Sequence, residues 1–215
     1  MKTLPAISDR PVRLGVLISG GGRTLLNLVD EIQDGNLNAE IPLVIASPED
    51  CSGVEKCINV GLTCQALSKQ DFPSVASLSE EVFSQCRSHE IDLVIMAGFL
   101  RLIRIPDDFE HRVLNIHPSL IPAFCGQGFY GSHVHEAAIA RGARISGCTV
   151  HFADNEYDHG PIVIQRTVEI PDGTSADDLA ALVFEQEQIA YPEAIRRVTS
   201  GLLQIDGQRT ALRQV

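Results

Sequence analysis

The sequence lacks the features that would place a protein in a membrane or on a nucleic acid. It contains no run of about 18 apolar residues, so we expect no membrane-spanning helix. Residues 1–15 have no long apolar segment, so we expect no signal peptide. Positive charge is scarce, since 17 Lys and Arg face 28 Asp and Glu and the net charge is −11. This balance disfavours nucleic acid and membrane partners, but backbone N–H groups could still bind a small anion.

Cysteine patterns typical of disulfides or zinc sites are also missing. The six cysteines form no C-x-x-C pair and no zinc-knuckle spacing. They stand at positions 51, 57, 64, 86, 125 and 148. Reduced thiols in a cytoplasmic protein are the simplest interpretation.

What is present is the composition of a globular protein. Hydrophobic residues make up 44% and charged residues 21% of the 215-residue chain, which is typical of an ordered domain. A chain of this length buries an ordinary core without a disulfide or a structural metal. We expect a single domain over residues 1–215, with a lead-in at 1–11 and a tail at 201–215.

Strands and helices alternate in the first half of the chain. Residues 14–18 are a continuous apolar run, and residues 25–32 then carry apolar side chains at the spacing of a helix face. Further apolar runs at 41–46, 62–67 and 91–96 are separated by helical stretches at 54–60 and 77–86. This alternation predicts βαβ units, a mostly parallel sheet flanked by helices, and therefore an α/β fold.

The second half has a different pattern. Residues 113–116 predict a short strand, and a segment rich in Pro, Gly and aromatic residues continues to 131 before a short helix at 133–141. Two β-rich runs at 145–152 and 161–170 predict antiparallel strands added to the sheet. Thr174 or Ser175 can cap a long helix that continues to about Arg197.

A glycine-rich turn, residues 19–24, lies between the first strand and the first helix. It matches neither the dinucleotide pattern G-x-G-x-x-G nor the Walker pattern, since Leu25 stands where the third glycine would be and no Gly-Lys-Ser/Thr follows. The turn is either purely structural or a phosphate site. Its place at the carboxyl end of a strand and the start of a helix favours phosphate.

Asn115, His117 and Asp158 form a candidate catalytic set. Asn115 and His117 are two apart on an extended segment, so their side chains leave one face. An amide and an imidazole can stabilise a developing oxyanion, and a carboxylate can orient the imidazole or help to move a proton. These residue types suit acyl-group chemistry.

Two other chemistries are weaker interpretations of the same sequence. Cys125 and Cys148 could be nucleophiles, but neither has a local activating signature, so packing is favoured. Four scattered histidines could bind a metal, but no H-E-x-x-H motif is present, and we expect no metal site. They stand at positions 133, 135, 151 and 159.

Six segments in order resemble the phosphoribosylglycinamide formyltransferase family, within the superfamily that uses 10-formyltetrahydrofolate. The segments are 18–22 (ISGGG), 97–103 (AGFLRLI), 114–122 (LNIHPSLIP), 146–152 (SGCTVHF), 157–162 (YDHGPI) and 186–192 (QEQIAYP). The resemblance covers roughly residues 12–200. It implies a Rossmann-like formyltransferase fold with a phosphate-binding half (12–100) and a folate-binding and catalytic half (101–200).

The resemblance also implies the reaction and the residues that perform it. The amine of glycinamide ribonucleotide would attack the formyl group of 10-formyltetrahydrofolate, a co-substrate, with no metal. Asn115 and His117 would hold the oxyanion, and Asp158 would steer His117 and a water that relays protons. The enzyme would be a cytoplasmic monomer or homodimer.

Substrate-binding residues follow from the same resemblance. The ribonucleotide phosphate would lie on Gly22, Arg23 and Thr24, and Glu187 would accept hydrogen bonds from the ribose. The folate would contact residues of two segments. They are Leu100, Arg101, Leu102 and Ile103, and the loop residues Asp154, Asn155, Glu156 and Tyr157. By residue type alone, Leu100, Leu102 and Ile103 would instead be interpreted as core.

The sequence departs from the family pattern at three places. Arg23-Thr24 replaces a frequent Ser-Asn pair, and the added positive charge is compatible with phosphate. Val75 stands where some members have an arginine for the folate glutamate tail, and Ser74 or Lys69 could substitute for it. The segment 124–131 is richer in glycine and aromatic residues than in the best-known members.

Two alternatives remain open from the sequence. A hydrolase resembling formyltetrahydrofolate deformylase would release formate without the ribonucleotide. A non-catalytic nucleotide-binding module would bind phosphate ligands without any turnover. Methionyl-tRNA formyltransferase is disfavoured, since it would need a second, basic domain.

Overall fold

The computed structural model describes residues 1–7 and 9–213. The chain forms two compact units, one of residues Ile7–Asn115 and one of Met1–Ala6 with Ile116–Val215. The strands are β1 (Lys2–Thr3), β2 (Val12–Ile18), β3 (Ala39–Ala46), β4 (Cys64–Ala66), β5 (Leu93–Met96), β6 (Val113–His117), β7 (Ile145–Phe152), β8 (Ile162–Glu169), β9 (Leu203–Asp206) and β10 (Arg209–Leu212). The helices are α1 (Arg23–Gln33), α2 (Gly53–Asn59), α3 (Val75–Ser88), α4 (Ser132–Arg141) and α5 (Ala176–Thr199).

The unit of residues 7–115 contains parallel strands in the order β4-β3-β2-β5, followed by β6 as far as Asn115. In the central strand β2, Leu17 is in register with Ile45 on one side and Met96 on the other. The last five residues of β2, Leu14 to Ile18, are all buried, whereas Arg13 is half-buried. A strand buried on both faces reads as a continuous apolar run, which is the pattern that predicted it.

Helices in this unit form where the apolar spacing predicted them. In α1 the buried residues are Leu25, Leu28 and Val29, all on one helix face. The helix α3 begins at a capping box in which Ser74 accepts from the backbone of Ser77, and it buries Phe83 against Phe109 at a ring-centroid distance of 4.9 Å. These helices confirm the predicted α/β alternation.

The other unit contains the predicted antiparallel pair. Strands β7 and β8 run antiparallel, with Val150 in register with Ile164, and α5 packs against both. Ser175, one of the two predicted caps, starts α5 by accepting from the N–H of Asp178. The helix α4 ends before Gly142, whose φ of +74° is the left-handed conformation that terminates many helices.

Three short strands of this unit were not predicted. The two-residue β1 pairs antiparallel with β9, and β10 pairs with β9 on its other side. They lie in the segments that the sequence suggested as a lead-in and a tail. Short strands give little periodic signal, so only long-range pairing defines them.

No helix within residues 1–7 and 9–213 is long and apolar enough to cross a membrane.

Candidate active site

The imidazole of His117 lies at the end of β6 and is almost fully buried. Its Nε2 is 2.9 Å from the carbonyl oxygen of Phe124. Because a carbonyl oxygen can only accept, we assign the proton of this hydrogen bond to Nε2. The other nitrogen, Nδ1, is 3.6 Å from Oδ2 of Asp158. The ring is therefore held between a backbone acceptor and a carboxylate.

Asp158 lies in the loop between β7 and β8 and has contacts on both carboxylate oxygens. The backbone N–H of Gly126 donates to Oδ2 at 2.8 Å. Nε2 of His151 lies 3.7 Å from Oδ1, while Nδ1 of His151 is 2.9 Å from the carbonyl oxygen of Phe152. The carboxylate thus lies between two imidazoles, each of which is also held by a backbone carbonyl.

This environment keeps Asp158 ionised. Burial by itself would raise the pKa of the carboxyl, but the imidazole of His151, the charge of His117 and the Gly126 N–H together lower its pKa below the ordinary value. A carboxylate that stays ionised at neutral pH can stabilise a positive charge forming on a neighbouring imidazole.

Burial favours the neutral form of the His117 imidazole. It lowers the pKa of His117 below the ordinary 6.5, although Asp158 and the Phe124 carbonyl oppose the shift. Burial also lowers the pKa of the nearby His135, and the charge of His117 adds to this effect. At neutral pH His117 is therefore mainly neutral, with one N–H to donate and one nitrogen that can accept a proton.

Asn115, the third predicted catalytic residue, is half-buried on β6. It stands two positions before His117, and side chains at this spacing on a strand share a face. Asn115 is in register with Met96 of β5, at the carboxyl end of the parallel strands. Ligands of open α/β sheets bind at this end.

The predicted phosphate residues lie where α1 begins. Gly22 has φ +67° and is the residue before the helix, and Arg23 and Thr24 are its first two residues. A Cβ on Gly22 would be only 3.3 Å from Cα of Gly53, so glycine serves both the conformation and the close approach. The helix start supplies backbone N–H groups and the positive end of the helix dipole.

Glu187, predicted at the ribose, is half-buried on α5. Burial, and to a smaller extent the charge of Glu187, raise the pKa of the Cys148 thiol to about 12. Burial and the charge of Asp158 likewise raise the pKa of Cys125. Both thiols are protonated at neutral pH, which disfavours a nucleophilic cysteine.

The side chains of residues 100–103, the first predicted folate segment, differ in their exposure to solvent. Leu100 and Leu102 are 62% and 43% exposed, so their interpretation as core residues was wrong, whereas Ile103 is core at 4%. The guanidinium of Arg101 donates to Oγ of Ser47 and to the carbonyl of Phe72. Its charge is therefore engaged within the unit of residues 7–115.

The second predicted folate segment, residues 154–157, lies in a loop that is exposed except at the half-buried Asp154. Asp154 accepts from the N–H of Glu156 at 2.9 Å and lies 2.8 Å from Nδ1 of His159. Asn155 and Tyr157 are exposed, Tyr157 at 53%.

Two residues were proposed as substitutes for an arginine that would bind the folate glutamate tail. Ser74 takes part in the cap of α3, and Lys69 is exposed.

Sequence reasoning missed three contributors to this site. His151 lies in the family-like segment 146–152, but by residue type it is only one of several scattered histidines. Phe124 and Gly126 act through backbone atoms, which no residue-type pattern reports. Among the described residues, no group of three or more His, Cys, Asp or Glu side chains has the arrangement of a metal site.

Comparison with known proteins gives consistent matches. Residues 12–195 match the sequence model of the family described as formyl transferase. The chain is 37% identical over 192 residues to a phosphoribosylglycinamide formyltransferase, chloroplastic, of Vigna unguiculata, covering 88% of this chain and 61% of the relative. It is 35% identical to the protein of that name from Arabidopsis thaliana, covering 86% of this chain and 65% of the relative.

The chain thus spans less than two thirds of the length of these plant relatives. Among solved structures, glycinamide ribonucleotide transformylase 1 from Symbiobacterium toebii superposes with a TM-score of 0.89 at 33% identity, covering 96% of both chains.

Proposed function

The chain belongs to the formyl transferase family, and we propose that it transfers the formyl group of 10-formyltetrahydrofolate to the amine of glycinamide ribonucleotide. The products would be formylglycinamide ribonucleotide and tetrahydrofolate. The observation that carries this proposal is the buried pair of His117 and Asp158, in which a mainly neutral imidazole lies beside an ionised carboxylate. The similar proteins named for this reaction support the choice of substrates.

In the proposed reaction, the amine nitrogen attacks the formyl carbon and a C–N bond forms. The formyl oxygen gains negative charge, and the Nε2–H of His117 and the amide of Asn115 are the donors that we assign to it. The formyl oxygen would replace the Phe124 carbonyl as the acceptor for Nε2–H. One proton then moves from the attacking nitrogen to the folate leaving nitrogen, and the bond to that nitrogen breaks.

Asp158 would act on His117 and on the proton transfer. Its negative charge stabilises an imidazolium that forms transiently, and its fixed position keeps Nδ1 directed towards it. The Gly126 N–H and the His151 imidazole hold the carboxylate in place. Because both groups are buried, this electrostatic effect is stronger than it would be in water.

We assign substrate binding to residues within each unit. The start of α1 at Gly22, Arg23 and Thr24 would bind the phosphate, and Glu187 would accept from ribose hydroxyls. Because the Arg101 side chain is engaged with Ser47 and Phe72, the segment 100–103 would contact the folate through its backbone and the exposed Leu100 and Leu102. Residues 154–157 would contribute a further folate contact. We propose no metal requirement and a cytoplasmic monomer or homodimer.

The test is a spectrophotometric assay of the purified chain with 10-formyltetrahydrofolate, with and without glycinamide ribonucleotide. We expect tetrahydrofolate only when the ribonucleotide is present. Tetrahydrofolate and formate without it would replace the proposal by a deformylase activity. Absence of turnover in both mixtures, with the nucleotide still bound, would leave a binding module instead.

A further inference from the structure

The glycine-rich turn, residues 19–24, is held in place by α2. The backbone N–H of Gly53 donates to the carbonyl of Gly20 at 3.0 Å. A Cβ on Gly53 would meet this oxygen at 2.7 Å and the nitrogen of Gly22 at 3.3 Å. The start of α2 therefore lies directly against the glycine-rich turn, at a distance that only glycine permits at position 53.

Lys56, one helical turn after Gly53, makes a second contact from the same face of α2. Its half-buried ammonium donates to the carbonyl of Gly21 at 2.8 Å. A Cβ on Gly21 would lie 3.8 Å from Nζ of Lys56 and 3.9 Å from Oγ of Ser52, so the charge is immediately beside the turn. Two successive carbonyls of the turn are therefore held by α2.

These two hydrogen bonds fix the direction of the N–H groups that follow. A trans peptide is planar, so its carbonyl and its N–H point in opposite directions. Holding the carbonyl of Gly20 directs the N–H of Gly21 away from the Gly53 nitrogen, and holding the carbonyl of Gly21 directs the N–H of Gly22 away from Lys56. Successive N–H groups fixed in this way, with Gly22 left-handed, make an anion-binding concavity.

We propose that Lys56 is a positioning residue for the substrate phosphate, fixing the Gly21–Gly22 peptide and placing a positive charge beside it. The inference rests on the proposed phosphate site at Gly22, Arg23 and Thr24. A local positive charge favours phosphate here, because the chain as a whole carries a net charge of −11. Lys56 was not among the residues that the sequence singled out.

The test compares three substitutions at this position. Lys56→Met removes both charge and donor, Lys56→Gln retains a donor without charge, and Lys56→Arg retains both. We expect Lys56→Met to raise the KM for glycinamide ribonucleotide about tenfold, with kcat and the KM for the folate changed less than about twofold. Lys56→Arg should restore most of the affinity, and Lys56→Gln should be intermediate.

A direct binding measurement separates this inference from the proposed function. Inorganic phosphate should raise the Tm of the wild-type protein and should do so much less for Lys56→Met. Lys2→Met, which removes the same charge from the exposed strand β1, is the matched control and should behave as the wild type. The phosphate result does not depend on turnover, so it tests Lys56 even if the formyl-transfer assay fails.

Defined outcomes would overturn the inference. An unchanged KM and an unchanged phosphate response in Lys56→Met would do so, as would a wild-type Tm that phosphate does not raise. Equal losses in kcat and in affinity for both substrates would indicate a general structural role. If Lys56→Met fails to fold, the contrast between Lys56→Gln and Lys56→Arg carries the same test.

Discussion

At the residue scale, Asp158 brings together contacts from three separate segments of the chain. It lies near His117 at the end of β6, His151 on β7 and the backbone of Gly126. Its φ of +51° is uncommon for a residue other than glycine. Such backbone conformations persist where the surroundings hold them, and they are frequent at functional sites.

Replacing Asp158 by Asn tests its charge while keeping its shape. We expect kcat to fall about 100-fold or more, with the KM for the ribonucleotide nearly unchanged, because the charge would act on the transition state. The pKa of His117, already below 6.5, should fall further, since Asp158 is the main influence that raises it. Steady-state kinetics and an NMR titration of the histidines measure both effects. A rise in the pKa of His117 would contradict the assignment.

At the element scale, the segment 124–131 acts on the site through its backbone. The rings of Phe124 and Phe129 meet edge to face at a centroid distance of 6.5 Å. Phe124 has φ +50°, and Gly126 and Gly128 have φ values of +91° and +93°. This path brings the Phe124 carbonyl to His117 and the Gly126 N–H to Asp158. The unusual richness in glycine and aromatic residues thus has a local structural explanation.

The start of α5 gives a prediction at the same scale. The hydroxyl of Ser175 accepts from the N–H of Asp178 at 3.1 Å, and the Asp178 carboxylate accepts from the N–H of Ser175 at 3.2 Å. Ser175→Ala should lower the free energy of unfolding by about 1 kcal/mol, because the backbone N–H of Asp178 loses its hydrogen-bond acceptor. Urea denaturation measures the change. The control is Ser132→Ala at the start of α4, a helix without a side-chain cap, which should change stability by less than about 0.5 kcal/mol. Equal losses in the two variants would argue against the capping interpretation.

At the scale of the whole molecule, buried imidazoles link stability to pH. Burial lowers the folded-state pKa of His117 and His135 below the ordinary 6.5. The unfolded chain therefore takes up protons on these residues at a higher pH than the folded chain does. Their contribution to stability is complete above about pH 6.5 and is lost as the pH falls below it.

Thermal unfolding at several pH values measures this linkage. We expect the Tm to fall between about pH 7 and pH 5, before most carboxylates titrate. His135→Leu removes one of the two imidazoles whose pKa burial lowers, and it should reduce the slope of Tm against pH in that range. His133→Leu, at an exposed position of the same helix, is the matched control. A slope that stays the same in His135→Leu would exclude this histidine as a source.

The α/β alternation, the antiparallel strands of the second half and a cap of α5 at Thr174 or Ser175 could all be predicted from the sequence. These features depend on the period of apolar residues and on residues adjacent in the chain, which the sequence displays directly. It also identified His117 and Asp158 as candidates through their motifs. It could not place Leu100 and Leu102, because residue type alone does not set exposure.

The folded chain alone shows which groups from distant parts of the sequence lie together. It placed His151 and the Gly126 N–H on Asp158, engaged Arg101 with Ser47, and brought Lys56 to the carbonyl of Gly21. It also paired the short strands β1, β9 and β10. Such contacts depend on the path of the chain, and they cannot be predicted from residue type because backbone donors and acceptors are the same at almost every residue.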